Sequence, residues 1–113
     1  MASRLPSKTC LLDKLVPITK GLNRRFPDGN QPFQIATRLL EECGELAKEI
    51  NHFEGTGIKR EKYGEPDKAH LAKEVMDVIR VALQVALHYQ IEEELADSIE
   101  QSYNRMVEEG LIE

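Results

Sequence analysis

The sequence predicts an all-α fold, a bundle of four to five helices, and three features of its 113 residues carry that expectation. Apolar residues recur three and four apart almost from end to end, the spacing of a helix with one buried face. No segment alternates apolar with polar residues, as a half-buried strand would. Residues 27–32 and 55–66 gather Gly, Pro, Asp and Asn and break the pattern like connections between helices. At this length one domain over residues 1–113 and a single core are expected, with residues 1–8 as a flexible lead-in.

The first helical pattern uses Leu11, Leu15, Ile18, Leu22 and Phe26. Pro17 falls inside it and predicts a kink or a later start. PDGNQP at 27–32 reads as a turn and a helix entry. The second pattern is Ala36, Leu39, Cys43, Leu46, Ile50 and Phe53. GTGIKREKYGEP at 55–66 is the longest break, and its Lys59, Arg60 and Lys62 suit a plain connection better than a lid. Asp67 is placed to cap the third helix, which runs through Leu71, Val75, Val78, Ala82, Val85 and Tyr89. That helix also carries Ala72, Met76, Ile79, Leu83 and Ala86 on an adjoining face. One neighbour cannot cover so wide an arc, so the helix is expected at the centre of the bundle and against a second subunit, in a homodimer or dimer of dimers. The fourth pattern is Ile91, Leu95, Ile99, Tyr103 and Met106. Glu92, Glu93 and Glu94 favour its start, and Gly110 is a natural stop.

Composition excludes several classes of function. A net charge of −5 argues against nucleic acid or a membrane surface as partner. A small anionic ligand remains compatible if a cation mediates its binding. MASRLPSKTC lacks the apolar run of a signal peptide, and no stretch reaches membrane-spanning length. Cys10 and Cys43 match neither a disulfide framework nor a paired zinc motif, so a reducing cytoplasm is expected. Cys43 lies in the apolar stripe and reads as an inert core thiol. His70 and His88 read as exposed.

The stretch RLLEECGELAKEI at 38–50 carries chemistry, because it sets Glu41, Glu42, Glu45 and Glu49 within nine positions of one helix. Like charges three or four apart oppose helix formation. At about 100° per residue, Glu42 lies at the edge of the apolar stripe, with Glu45 and then Glu41 further round. Glu74 and Asp77 take the same phases on the third helix. Two antiparallel neighbours would bring these matching flanks together if the pairs lie at one height. Four carboxylates so placed raise one another's pKa and need compensation. Oxygen donors without Cys or His suit Mg²⁺, with Mn²⁺ as a substitute. A di-iron bundle would want Glu-x-x-His pairs, which His52, His70 and His88 do not supply. The plainer reading is a solvated acidic face, partly neutralised by Arg38, Lys48 and Lys73.

Glu41-Glu42-Cys43-Gly44-Glu45, followed after 28 residues by Glu74-Val75-Met76-Asp77, resembles the signature of the MazG-type all-α nucleoside triphosphate pyrophosphohydrolases. LLEECGELAKEINH, the Gly-rich connection and EVMDVIRVALQVALHYQIEEEL extend the resemblance from about residue 33 to 109. It implies a metal-dependent enzyme that cleaves a (d)NTP between its α and β phosphates, yielding a nucleoside monophosphate and pyrophosphate, in nucleotide-pool house-cleaning. By position, Glu42, Glu45, Glu74 and Asp77 would hold Mg²⁺, and Glu41 would orient or deprotonate the attacking water or help with a further metal ion. Asn104 and Arg105 resemble a segment that reaches the nucleotide, and Lys48 and Arg80 are further candidates for phosphate contact. Gly44 matches a glycine common at that position, where close helix approach would explain it. Met76 departs from the Gly-Asp of many relatives, and the basic C-terminal segment of some is absent. Phosphoribosyl-ATP pyrophosphohydrolase is the rival within the same chemistry. A non-catalytic helical interaction or metal-binding module is the rival from another class.

Overall fold

The computed structural model describes residues 11–55 and 64–112. These form four helices, α1 (Leu11–Arg25), α2 (Pro32–Glu54), α3 (Lys68–His88) and α4 (Glu92–Glu108), with no strand among the described residues. The all-α expectation holds. The lead-in at 1–8, Cys10 and the basic residues Lys59, Arg60 and Lys62 lie outside the described residues.

Local chemistry accounts for the helix ends. α1 runs through Pro17 rather than starting after it. The turn that follows needs Gly29, whose φ of 82° lies in the left-handed region that side chains disfavour. Pro32 opens α2, where its missing N–H costs nothing, and the Gln31 backbone N–H donates to Gln34 Oε1 at 3.0 Å. Asp67 caps α3 as expected, accepting from the Ala69 N–H at 2.9 Å. Between α3 and α4 Gln90 takes a φ of 56°, the one non-glycine described residue in that region. Gly110 follows α4 with a φ of 77°.

α3 is the hub. It packs most extensively on α2, then on α1, and only lightly on α4. No described helix is long and apolar enough to cross a membrane. The buried residues are few and half of them polar: Leu15, Ile35, Val81 and Ala86 beside Thr19, Glu74, Asp77 and Gln84.

This core corrects the helical phases. In α2 the positions turned inward are Ile35, Leu39, Glu42, Leu46 and Glu49, while Ala36, Cys43 and Ile50 are exposed. In α3 Glu74 and Val81 are buried where Val75 and Ala82 were expected. The inward face of each helix is shifted toward its acidic flank by less than one residue step of about 100°, since Leu39 and Leu46 on α2 and Val78 and Val85 on α3 stay turned inward. Cys43 is therefore an exposed thiol and not a core one. Gly44 is corrected too: a Cβ there would meet nothing within 4 Å, so packing inside one chain does not require glycine. α4 buries no residue at all.

Candidate functional site

The turned phases put the acidic residues into the α2–α3 seam. Glu74 and Asp77, three apart, share one face of α3, and Glu42 meets them from α2. Each offers an oxygen, and the three lie within 4.8 Å of one another. Glu74 and Asp77 are buried and Glu42 half-buried. Burial raises the Glu42 pKa, and the negative charges of Asp77 and Glu74 push it the same way, against Arg80 and Lys73.

Two cations border the cluster. Lys73 Nζ donates to Asp77 Oδ2 at 2.9 Å, a bond that raises the pKa of this exposed ammonium. Arg80, mostly buried, stands 3.9 Å from Asp77 Oδ1. The plain pairing of Asp77 with Lys73 therefore exists, but it is made to a buried carboxylate and not on a wet face.

The remaining candidates are placed as follows. Glu45 is not in the three-carboxylate group; it is exposed and faces Lys48 Nζ at 3.5 Å. Glu41 is exposed and lines the cleft described below. Asn104 and Arg105 are exposed on the last turns of α4, which among the described helices packs on α3 alone.

Two neighbours of the cluster went unpredicted. Glu49 Oε1 lies 2.9 Å from His70 Nδ1, and His70 Nε2 lies 3.3 Å from Glu74 Oε1, so one imidazole links α2 to a buried acid of α3. The other Glu49 oxygen is buried without a hydrogen-bond partner among the described residues. The signal was present in the spacing, since Glu49 is two turns after Glu42 and His70 one turn before Glu74.

A cleft of about 510 Å³ adjoins the cluster, with Glu41, Glu42 and Arg80 on its wall beside Leu22, Asn23, Phe26, Asn30, Arg38 and Gln84. That volume lies in the range of small-molecule sites. A polar network braces it. Arg38 donates to Gln84 Oε1 and to the Gly29 carbonyl, each at 2.7 Å. Gln84 Nε2 donates to Asn23 Oδ1 at 2.9 Å and to Asn30 Oδ1 at 3.0 Å.

Three clustered carboxylates repel one another, so the site favours a hard divalent cation. Their donor set, oxygen throughout, fits Mg²⁺ or Mn²⁺ and not a softer metal. The cleft beside them offers room and a cation, Arg80, for an organic anion.

The family description "MazG nucleotide pyrophosphohydrolase domain" matches residues 31–109, most of the chain. No curated protein and no solved structure matches it.

Proposed function

The chain belongs to the MazG nucleotide pyrophosphohydrolase domain family, and from that premise we propose that it hydrolyses a nucleoside triphosphate between the α and β phosphates in a metal-dependent reaction. The observation that carries this reading is the meeting of Glu42, Glu74 and Asp77 within 4.8 Å, in a seam where burial raises the Glu42 pKa. Such a seam is costly for a helix pair unless a cation compensates it.

In this proposal Glu42, Glu74 and Asp77 hold Mg²⁺, and Glu45 joins them by leaving Lys48. The cation supplies charge neutralisation at the phosphates and makes the attacking water more acidic. Glu41, exposed on the cleft wall, orients that water or takes its proton. Arg80 and Lys48 steady the phosphates, and Asn104 and Arg105 reach the nucleotide from α4. Phosphoryl chemistry asks mainly for such positioning and neutralisation. The adjoining cleft receives the nucleoside, and the cellular task is removal of unwanted nucleotides from the pool.

Self-association belongs to the same proposal. Ile99 on α4 is 59% exposed, and Tyr103 and Met106 continue its stripe. Met76 and Val75 are exposed on α3. A second copy covering these faces would give the homodimer or dimer of dimers, and sedimentation would show it at micromolar concentration.

The activity is tested with a panel of common nucleotides, aberrant nucleotides and phosphoribosyl-ATP, assayed for pyrophosphate with Mg²⁺ and with EDTA. Pyrophosphate as the first product, released only with the metal, is the expected result. Orthophosphate as first product, or full activity in EDTA, would defeat the proposal. Turnover of phosphoribosyl-ATP alone would move the assignment to that substrate.

A further inference from the structure

We infer that Asn23 selects the nucleobase, presenting an unspent amide donor that favours bases with a carbonyl oxygen at the contacted edge. The inference rests on the proposed nucleotide function and concerns its specificity. Asn23 and Phe26 precede the segment 31–109 that matches the family, so the selectivity they confer belongs to this chain's own α1.

The orientation of the Asn23 amide follows from a chain of donors. A guanidinium has only donors, so the Gln84 atom 2.7 Å from Arg38 Nη1 must be the amide oxygen. The Gln84 nitrogen is thereby turned to Asn23 and Asn30, and each of these must meet it with oxygen, at 2.9 and 3.0 Å. Gln84 is buried, which holds the whole series in place. Asn30 uses its own nitrogen on the Phe26 carbonyl at 3.0 Å. The Asn23 nitrogen is different: among the described residues it has no partner. Asn23 lines the cleft, so this amide donor is available to a molecule bound there.

The position suits a base. Gln84 follows Asp77 by seven residues, about 10 Å along α3, comparable to the span from an α-phosphate across the sugar to the base. Phe26, 60% exposed, lines the same cleft with Arg25 stacked 5.7 Å from its ring centroid. Its ring gives the base an apolar surface, and stacking alone does not distinguish one base from another. The amide donor does.

Two pairs of nucleotides isolate the contact. ITP and ATP differ at position 6, where one carries oxygen and the other an amino group; UTP and CTP differ in the same way at position 4. In the wild-type protein kcat/KM should favour the oxo member of at least one pair by about tenfold, the worth of one good hydrogen bond. Asn23→Asp replaces the donor with an acceptor and should invert that ratio. Asn23→Ala should bring it near one without inversion. A general effect of either substitution on folding or charge lowers both members alike and leaves the ratio unmoved. A wild-type protein that hydrolyses both members of each pair equally, or a preference that survives both substitutions, would overturn the inference while the pyrophosphohydrolase reading stands. No pyrophosphate from any nucleotide would overturn both.

Discussion

The α2–α3 seam and the outer stripe of α4 are opposites. In the seam, where apolar residues are expected, carboxylates are buried at Glu74 and Asp77. Along α4, Leu95, Ile99, Tyr103 and Met106 follow helical spacing yet all remain exposed. One region holds charge that a lone chain has reason to expel, and the other shows apolar surface that a lone chain has reason to hide. Under the proposed function a metal ion would join Lys73 and Arg80 in compensating the seam, and a second copy would cover the stripe.

Substitutions can separate the two. The largest effect is expected at Asp77. Asp77→Asn should lower kcat/KM by about 100-fold or more, since even groups that only support metal ligands are worth about 10–100-fold. In EDTA its melting temperature should equal or slightly exceed that of the wild type, because relief of repulsion with Glu42 and Glu74 offsets the loss of the Lys73 pair. With Mg²⁺ the order should reverse, because the wild type alone gains the full binding stabilisation. Equal Mg²⁺ shifts in both proteins would make the seam an ordinary ion-paired core.

Next in size is the stripe. Ile99→Asp should turn the proposed oligomer into a monomer by sedimentation and lower stability by about 1.5–3 kcal/mol, the worth of one large apolar side chain at a covered position. A stable wild-type monomer, with Ile99→Asp changing stability by less than about 0.5 kcal/mol as at an ordinary surface site, would remove the contrast.

Glu45→Gln should cost about tenfold in activity, the worth of about 1.4 kcal/mol. Its stability in EDTA should not change measurably, since Glu45 and Lys48 are both more than half exposed. A loss as deep as that of Asp77→Asn would set Glu45 equal to the buried ligands.

The smallest effect is the pH dependence of Glu42. Its pKa is raised in the folded chain, so the folded state holds this proton more tightly than the unfolded state. The resulting stability is present below the ordinary carboxylate range and fades as pH rises through the raised value. Melts in EDTA should therefore show the wild type losing ground to Glu42→Gln as pH increases over that window. A constant difference would take Glu42 out of the seam's electrostatics.

Helices, their connections and the Asp67 cap were legible in the sequence because they rest on short-range chemistry. The acidic pairs were legible as spacing. Their phase was not. A helical wheel anchored on Cys43 or Val75 assumes that the most apolar stripe faces inward, and here each helix has two apolar faces. The face toward the neighbouring helix includes Glu42 and Glu74, whereas Leu40, at 74% exposure, lies on the other. Periodicity cannot tell a face that meets its own chain from one turned away from it. The Arg38–Gln84 and Gln84–Asn23 bonds were illegible for another reason: they join positions 46 and 61 residues apart, and nothing local marks either partner.

Gln90 gives α4 the mechanics of a lever. Its left-handed φ of 56° and the bond from the Ile91 N–H to the Ala86 carbonyl at 3.0 Å set the direction of the whole helix, because packing along α4 is too light to do so. Asn104 lies twelve residues beyond Glu92, about 18 Å out along the arm. A rotation of roughly 10° at the turn therefore carries Asn104 about 3 Å over that radius. If Asn104 reaches the nucleotide as proposed, that distance separates a hydrogen bond from none at all. The position of Asn104 and Arg105 is thus set at Gln90, in the torsion of a single backbone bond.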